Sequence, residues 1–265
     1  MTGGEPPGRN RVTLETRDLT VRFGGQVAVD GVSCAFHHGT LTAIVGPNGA
    51  GKTTYFNLIS GQLRATSGEV RLGGKPITSL SVPARAALGL GRAFQLTNLF
   101  PTLSVFENVR LAVQARLGPG LDFATMALSH RSLRDAAMAY LERVRLTPRA
   151  ASPAATLSHG DQRKLEVAIL LALEPSVFMF DEPTAGMSVD EAPVILELIE
   201  EIKAARDRTI LLVEHKMDVV RRLADRVVVL HQGALVADGP PADIVALPVV
   251  REAYLGIAQP AAAHV

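Results

Sequence analysis

The stretch GPNGAGKTT, residues 46–54, has the residue types and the spacing of a phosphate-binding loop. It follows an apolar run, LTAIV, and precedes a helical stretch, as the pattern G-x-x-x-x-G-K-[ST] requires. Glycines let the backbone curl so that successive N–H groups converge on phosphate oxygens, and the following helix adds a favourable dipole. Lys52 would meet the β- and γ-phosphates, and the Thr53 hydroxyl could ligate Mg²⁺. We therefore expect nucleotide to bind at Gly46, Asn48, Gly49, Ala50, Gly51, Lys52, Thr53 and Thr54.

Two carboxylates, Asp181 and Glu182, directly follow a second apolar run, VFMF. An acid at the carboxyl end of a buried strand lies where α/β proteins bind their ligands. Together with a phosphate loop, Asp181 would hold Mg²⁺, directly or through water, and Glu182 would polarise an attacking water as general base. For either acid taken singly, an acidic turn that caps the next helix is the alternative.

The stretch LSHGDQRKLE, residues 157–166, predicts the beginning of a helix. Ser158 is a suitable N-cap, and Asp161 follows three residues later, ahead of an apolar run. Gly160 is unexpected in a first turn, because glycine costs a helix roughly 1 kcal/mol relative to alanine. The stretch is therefore either an ordinary capped helix or a helix N-terminus that binds phosphate.

The elements around these motifs predict an α/β protein with a largely parallel sheet. Apolar runs of strand length alternate with longer segments whose apolar residues recur at helical spacing. Residues 96–156 have a different composition, rich in Leu, Ala and Arg, which predicts an inserted, mainly helical subdomain. The predicted strands are 41–45, 177–180, 209–213 and 226–230, and the predicted helices between the last three are 190–205 and 217–224.

Composition narrows the class of protein further. Of the 265 residues, 47% are hydrophobic and 20% charged, which is typical of a folded, soluble protein. A formal net charge of +1 gives no support to nucleic acid or an anionic membrane as a partner. The single cysteine, Cys34, excludes an internal disulfide and is expected to be a small buried hydrophobe. The most apolar run, 167–173, is shorter than the ~20 residues of a membrane span, so action at a membrane would require a partner.

These motifs, in this order, resemble those of the ATP-binding subunits of ABC transporters over residues 12–256. The resemblance implies an α/β fold of the P-loop NTPase ABC ATPase type, with a RecA-like parallel-sheet core, an antiparallel β portion near the N-terminus and an inserted helical subdomain. The boundaries that it implies are a flexible tail (1–11), the ABC ATP-binding domain (12–256) and a second tail (257–265). Within the domain they are a core (about 12–95 and 165–240), a helical subdomain (about 96–164) and a C-terminal helix (about 241–256).

The resemblance also assigns roles to residues outside the loop. Phe23, in VRFGG, would stack on adenine, and Gln95, in GRAFQ, would contact Mg²⁺ or water and sense the membrane partner. Asp190, in AGMSVDE, would lie in the loop that crosses a dimer interface, and His215, in VEHKM, would reach the γ-phosphate. Taken singly, each of these residues has an ordinary structural alternative. The implied catalytic set is Glu182, His215, Gln95 and Lys52, and the implied metal set is Thr53, Gln95 and Asp181.

LSHGDQ stands where the family has the signature L-S-G-G-Q, which covers ATP held by the other subunit of a dimer. Ser158 and Gly160, the two positions that the phosphate contact most needs, are present. The departures are His159 for glycine and Asp161 for glutamine. A carboxylate in the first turn suits the helix dipole but would repel a phosphate, so we expect Asp161 to face away from the nucleotide.

Several phrases, among them GRAFQLTNLFPTLSVFENVRLAV and VEHKMDVV, resemble the ATPases of branched-chain amino acid importers, while LSHG and EPTAGMS are also similar to urea importer subunits. The resemblance implies ATP and Mg²⁺ as cofactors and a place on the cytoplasmic face of the inner membrane. The implied partners are two permeases, a second ATPase subunit (a related chain or a second copy) and, indirectly, a periplasmic binding protein. Nucleic acid is not among them. The alternatives are a urea or amide importer ATPase, a non-transport ABC ATPase acting on nucleic acid or ribosomes, and a module that binds nucleotide without hydrolysing it.

Overall fold

The structure is a computed structural model, described over residues 11–93, 99–117 and 123–247. The chain divides into two compact units, Met1–Leu88 with Ala205–Val265 and Gly89–Ala204. Strands and helices are numbered along the whole chain, and each unit is described in turn.

The first unit begins with an antiparallel sheet of four strands in the order β2-β1-β4-β5. A turn at Gly24 and Gly25 joins the two long strands, whose pairing contains several register shifts. Tyr55 is fully buried and shares a hydrogen bond of 2.7 Å with Thr16 of this sheet. The strands are β1 (Val12–Phe23), β2 (Gln26–His37), β4 (Ser67–Leu72) and β5 (Lys75–Pro76).

The same unit contains the parallel strands that the apolar runs predict. β3 pairs in parallel with both β8 and β9, and β10 pairs antiparallel with β9. The five residues of β3 are all buried, as are those of β8, which explains their uninterrupted apolar sequences. These strands are β3 (Leu41–Val45), β8 (Thr209–Val213), β9 (Arg226–His231) and β10 (Ala234–Gly239). The helices are α1 (Lys52–Ser60), α2 (Val82–Ala87), α7 (Met217–Leu223) and α8 (Pro241–Ala246).

The second unit contains two parallel strands, β6 (Leu90–Ala93) and β7 (Val177–Asp181), and four helices. α3 packs against α4 and α5. The fully buried side chains of these three helices include Val109, Leu141 and Leu165. The helices are α3 (Val105–Leu117), α4 (Phe123–Arg143), α5 (His159–Ala172) and α6 (Ala192–Ala205), with short 3-10 turns at Thr147–Arg149 and Ala154–Thr156. Among the described residues of both units, no helix is long and apolar enough to cross a membrane.

The elements predicted from the sequence are present with small differences at their ends. Strands 41–45 and 209–213 are as predicted, and the strands predicted at 177–180 and 226–230 each continue one residue further. The helix predicted from 190 begins at Ala192. Cys34 is buried, as expected. The C-terminal helix predicted at about 241–256 is described only as Pro241–Ala246, because residues 248–265 lie outside the described residues. The predicted domain boundaries remain predictions.

Candidate nucleotide site

The loop after β3 is held so close to its neighbours that two of its glycines cannot carry a side chain. A Cβ on Gly46 would lie 2.2 Å from the carbonyl oxygen of Leu230 on β9. Gly51 has a φ of 95°, and its Cβ would lie 2.5 Å from the carbonyl oxygen of Ala28 on β2. Only glycine tolerates such close approach of backbone to backbone. The shape of the loop is therefore fixed by the sheets beneath it.

Lys52 is the first residue of α1, and its side chain lies back across the loop. Its Nζ donates to the carbonyl oxygens of Gly46 at 2.7 Å and Pro47 at 3.0 Å. None of the residues in the first turn of α1, all of them described, is acidic, and no side chain caps its N-terminus. A mobile ammonium group, loop N–H groups and a helix N-terminus thus occur together, which is the chemistry that binds phosphate.

His215 is brought to the same edge of the sheet as this loop. Ile44 of β3 pairs in parallel with Val213 of β8, so both strands end side by side. Gly46 comes two residues after Ile44, and His215 comes two residues after Val213. The imidazole is exposed. Elsewhere in this unit, Phe23 at the end of β1 is 51% exposed, while Thr53 and Thr54 are half-buried.

Asp181, in the second unit, is the last residue of β7, and its carboxylate is paired with an arginine. Arg92, on the neighbouring strand β6, donates from Nη2 to Asp181 Oδ2 at 2.8 Å. Both side chains are buried. Gln95, predicted to act nearby, lies outside the described residues.

Glu182 begins the tight turn that follows β7. Its φ is 49°, in the left-handed region, and its carbonyl oxygen accepts from the backbone N–H of Ala185 at 3.0 Å. This conformation costs a residue with a side chain roughly 1–2 kcal/mol. The residue predicted as general base is thus held in a strained backbone, as occurs at functional sites.

The first turn of α5 confirms the predicted N-cap. The Ser158 Oγ accepts from the backbone N–H of Asp161 at 3.1 Å, and Asp161 Oδ1 accepts from Lys164 Nζ at 2.9 Å. Gly160 is buried, and a Cβ there would lie 2.2 Å from a carboxylate oxygen of Glu191. His159 is exposed, yet its Nε2 lies only 3.0 Å from where a Cβ on Gly186 would be. Of the two unusual signature positions, Asp161 is therefore paired within its own chain.

The loop that carries Asp190 is held just ahead of α6 by hydrogen bonds between Ser188 and Glu191. The carboxylate of Glu191 accepts from the backbone N–H of Ser188 at 3.2 Å and from the Ser188 hydroxyl at 3.0 Å. Lys164 Nζ lies 3.9 Å from the other Glu191 oxygen. The side chain of Asp190 is exposed. The loop ahead of α6 and the first turns of α5 are thus in contact inside one unit.

The ABC transporter family matches residues 29–185, more than half of the chain. The chain belongs to this family. Over 253 residues it is 40% identical to the high-affinity branched-chain amino acid transport ATP-binding protein BraF of Pseudomonas aeruginosa, covering 93% of this chain and 99% of that one. Over 248 residues it is 37% identical to the transport ATP-binding protein LivG of Salmonella typhimurium, covering 92% and 97%. A solved ATP-binding cassette of an ABC transporter in its ADP conformation matches with a TM-score of 0.77 at 29% identity. The match covers 93% of this chain and 99% of that one.

These findings confirm the family and the fold class predicted from the sequence. The protein is an ABC ATPase that couples ATP hydrolysis to transport. The Asp181 carboxylate of the second unit is a hard oxygen donor, and so is the Thr53 hydroxyl of the first unit, and Mg²⁺ prefers oxygen donors of this kind. In the described part of the chain, no cluster of three or more His, Cys, Asp or Glu could hold a metal ion.

Two residues that lie against predicted site residues were not identified from the sequence, Arg92 beside Asp181 and Glu191 beside Gly160. The bond between Ser188 and Glu191, which are three residues apart, could have been anticipated from the pattern S-x-x-E. Arg92 gives no comparable signal, because its partner is set by the pairing of β6 with β7.

Proposed function

We propose that this ABC ATPase is the motor subunit of an importer for branched-chain or other hydrophobic amino acids. The assignment of branched-chain amino acids as the transported substrate rests on the similarity to BraF, which extends over nearly the full length of both chains. The similarity to LivG, also a branched-chain amino acid transport ATP-binding protein, points the same way. Motor activity is supported by a complete phosphate loop together with the acid pair Asp181 and Glu182.

In this proposal the loop holds the nucleotide and prepares its γ-phosphate. Loop N–H groups and the α1 dipole bind the phosphates, and Lys52 exchanges its carbonyl partners for phosphate oxygens. Phe23 stacks on adenine. Thr53, Asp181 and Gln95 would hold Mg²⁺, which neutralises charge on the phosphates when it is bound.

Hydrolysis then depends on two further side chains. Glu182 accepts a proton from the attacking water, so that the oxygen can displace ADP from the γ-phosphorus. His215 donates a hydrogen bond to a γ-phosphate oxygen and stabilises the charge that develops there.

A second ATPase subunit completes the site. Ser158 and Gly160 present the N-terminus of α5 to ATP held by the partner subunit, and Asp190 contacts the partner across the interface. The dimer acts on two permeases at the cytoplasmic face of the inner membrane, and a periplasmic binding protein supplies the cargo. The subunit is peripheral to the membrane and needs no nucleic acid.

The test is transport by the reconstituted complex. Proteoliposomes that contain the chain, its partner ATPase, the permeases and the binding protein should take up labelled leucine only with ATP inside. Glu182→Gln should bind ATP but lose turnover, whereas Glu197→Gln, on the exposed face of α6, should transport normally. Uptake of urea instead of leucine would assign the cargo to the urea alternative. ATP hydrolysis that no permease stimulates would favour a non-transport role.

A further inference from the structure

A buried ion pair lies where β6 and β7 run side by side. Arg92 stands opposite Met179 in the parallel register, and its side chain reaches along β7 to Asp181. The Nη2–Oδ2 distance is 2.8 Å, and the two side chains are 7% and 5% exposed. The pair is thus one of the least accessible in the described part of the chain.

Burial makes the two charges dependent on each other. A carboxylate taken out of water without a compensating cation is strongly unfavourable, and so is an unpaired guanidinium. Burial lowers the pKa of Arg92, and the facing Asp181 carboxylate opposes that shift. Arginine nevertheless stays charged at neutral pH, because its ordinary pKa is so high.

We propose that Arg92 is a positioning residue that orients the Asp181 carboxylate and sets how tightly Mg²⁺ is held there. The inference rests on the proposed function, in which Asp181 is a metal ligand. The guanidinium fixes the carboxylate through one oxygen and offsets part of its negative charge. A carboxylate already paired with a cation attracts a second cation less strongly than an unpaired one. Arg92 therefore weakens metal binding while it keeps the ligand in place.

The geometry favours this role over that of a general structural support. β6 is a strand fixed by its pairing with β7, so the base of the arginine cannot drift away from Asp181. The planar fork of the guanidinium aims its donor along a defined direction, which the single ammonium of lysine does not. Loss of Arg92 should therefore change the metal dependence of nucleotide binding rather than nucleotide binding in general.

The experiment compares nucleotide affinity with and without Mg²⁺. ADP carrying a fluorescent methylanthraniloyl group is titrated with the full chain, once in Mg²⁺ and once in EDTA. The readout is the ratio of the two affinities. For Arg92→Gln we expect this ratio to rise by about tenfold, because the Asp181 carboxylate, without the guanidinium charge beside it, repels phosphate more in EDTA and attracts Mg²⁺ more strongly. Arg92→Lys keeps the charge with poorer geometry, and its ratio should rise by only about twofold to threefold.

Controls separate the possible failures. Arg143→Gln removes an arginine from the exposed pair with Glu201 and should leave the ratio unchanged. Asp181→Asn should collapse the ratio towards one. If it does not, the metal role of Asp181 in the proposed function is wrong. If Asp181→Asn collapses the ratio but Arg92→Gln leaves it at the wild-type value, the inference about Arg92 alone is overturned.

A purely structural Arg92 would give a different result, since its loss would lower both affinities together. Circular dichroism establishes that each variant is folded before titration. Should Arg92→Gln fold only with Mg²⁺ and ADP present, Arg92→Lys carries the test. A ratio for Arg92→Lys equal to that of the wild type would then overturn the proposal.

Discussion

The carboxylate of Glu191 lies against the backbone of Gly160, where the loop ahead of α6 meets the first turn of α5. A Cβ on Gly160 would lie 2.2 Å and 2.4 Å from the two carboxylate oxygens. The same carboxylate accepts hydrogen bonds from the backbone N–H and the hydroxyl of Ser188 in the loop ahead of α6. A side chain at this signature position would therefore displace the Glu191 carboxylate, whatever the helix binds.

This contact predicts that Gly160 and Glu191 are energetically coupled. In Gly160→Ala the carboxylate must move and give up its bonds from Ser188, which costs about 1 kcal/mol. That cost opposes the roughly 1 kcal/mol that alanine gains over glycine in a helix. In a Glu191→Ala background only the gain remains, so Gly160→Ala should be more favourable there by about 1 kcal/mol.

Urea unfolding of the four proteins measures this coupling. Glu197→Ala is the matched control, because Glu197 is a glutamate of α6 that pairs with Arg145 instead. In that background Gly160→Ala should have the same effect as in the wild type. Additive effects of the Gly160 and Glu191 substitutions would contradict the contact.

Ser158 is predicted to have two separable roles, capping α5 and contacting phosphate. Ser158→Ala should lower the free energy of unfolding by about 1 kcal/mol, because the N–H of Asp161 loses its acceptor. Ser158→Asp restores an N-cap acceptor and should be within about 0.5 kcal/mol of the wild type. Its charge should nevertheless abolish the dimer that ATP induces in a Glu182→Gln background, as followed by light scattering. A Ser158→Asp variant that still dimerises would remove the phosphate contact from this position.

Features formed by residues adjacent in the chain could be predicted from the sequence, whereas contacts between distant residues could not. β3 and β8 were predictable because strands buried on both faces read as unbroken apolar runs. The phosphate loop was predictable because its glycines and Lys52 are adjacent in the chain. The contacts of Arg92 with Asp181 and of Glu191 with Gly160 were not predicted, because these residues are distant in sequence and are brought together by strand pairing and helix packing. The long strands β1 and β2 also escaped individual prediction, since their pairing is interrupted by register shifts.

Arg85 is predicted to be a main support of the helix that follows the phosphate loop. Its buried guanidinium donates to the carbonyl oxygens of Leu58 and Ile59, at the end of α1, and to those of Leu80 and Thr78. Arg85→Met would remove a donor from each of these carbonyl oxygens and should cost about 3 kcal/mol in the free energy of unfolding.

Arg145→Met is the control for Arg85→Met, because it breaks only an exposed pair with Glu197 and should cost less than about 1 kcal/mol. Thermal and urea unfolding measure both variants. Equal losses for the two would mean that the Arg85 bonds contribute no more than a surface ion pair.

Ionisation of Cys34 is predicted to lower the stability of the folded protein at alkaline pH. Burial raises the pKa of its thiol to about 11, although the nearby Arg226 lowers it. The ordinary pKa, 9.0, applies to the unfolded chain, so the unfolded thiol loses its proton before the folded one does. The contribution of the buried thiol to stability is therefore complete below about pH 9 and is lost as the pH rises through about 11. Relative to Cys34→Ala, the wild type should lose on the order of 2 kcal/mol over that interval. Parallel curves of unfolding free energy against pH for the two proteins would show that the folded thiol ionises freely.

Glu182 is predicted to trade stability for catalysis. Its φ of 49° is strained for any residue with a side chain but not for glycine. The free energy of unfolding of Glu182→Gly should therefore exceed that of the wild type by up to about 1 kcal/mol, and the variant should lose ATP hydrolysis. Glu182→Ala keeps the strain and lacks the carboxylate, so it should lose hydrolysis without becoming more stable than Glu182→Gly. Urea unfolding without nucleotide, together with phosphate release in the reconstituted transporter, measures both effects. Hydrolysis that survived in Glu182→Ala would remove the base from this residue, and equal stability of the two variants would show that the turn holds no strain.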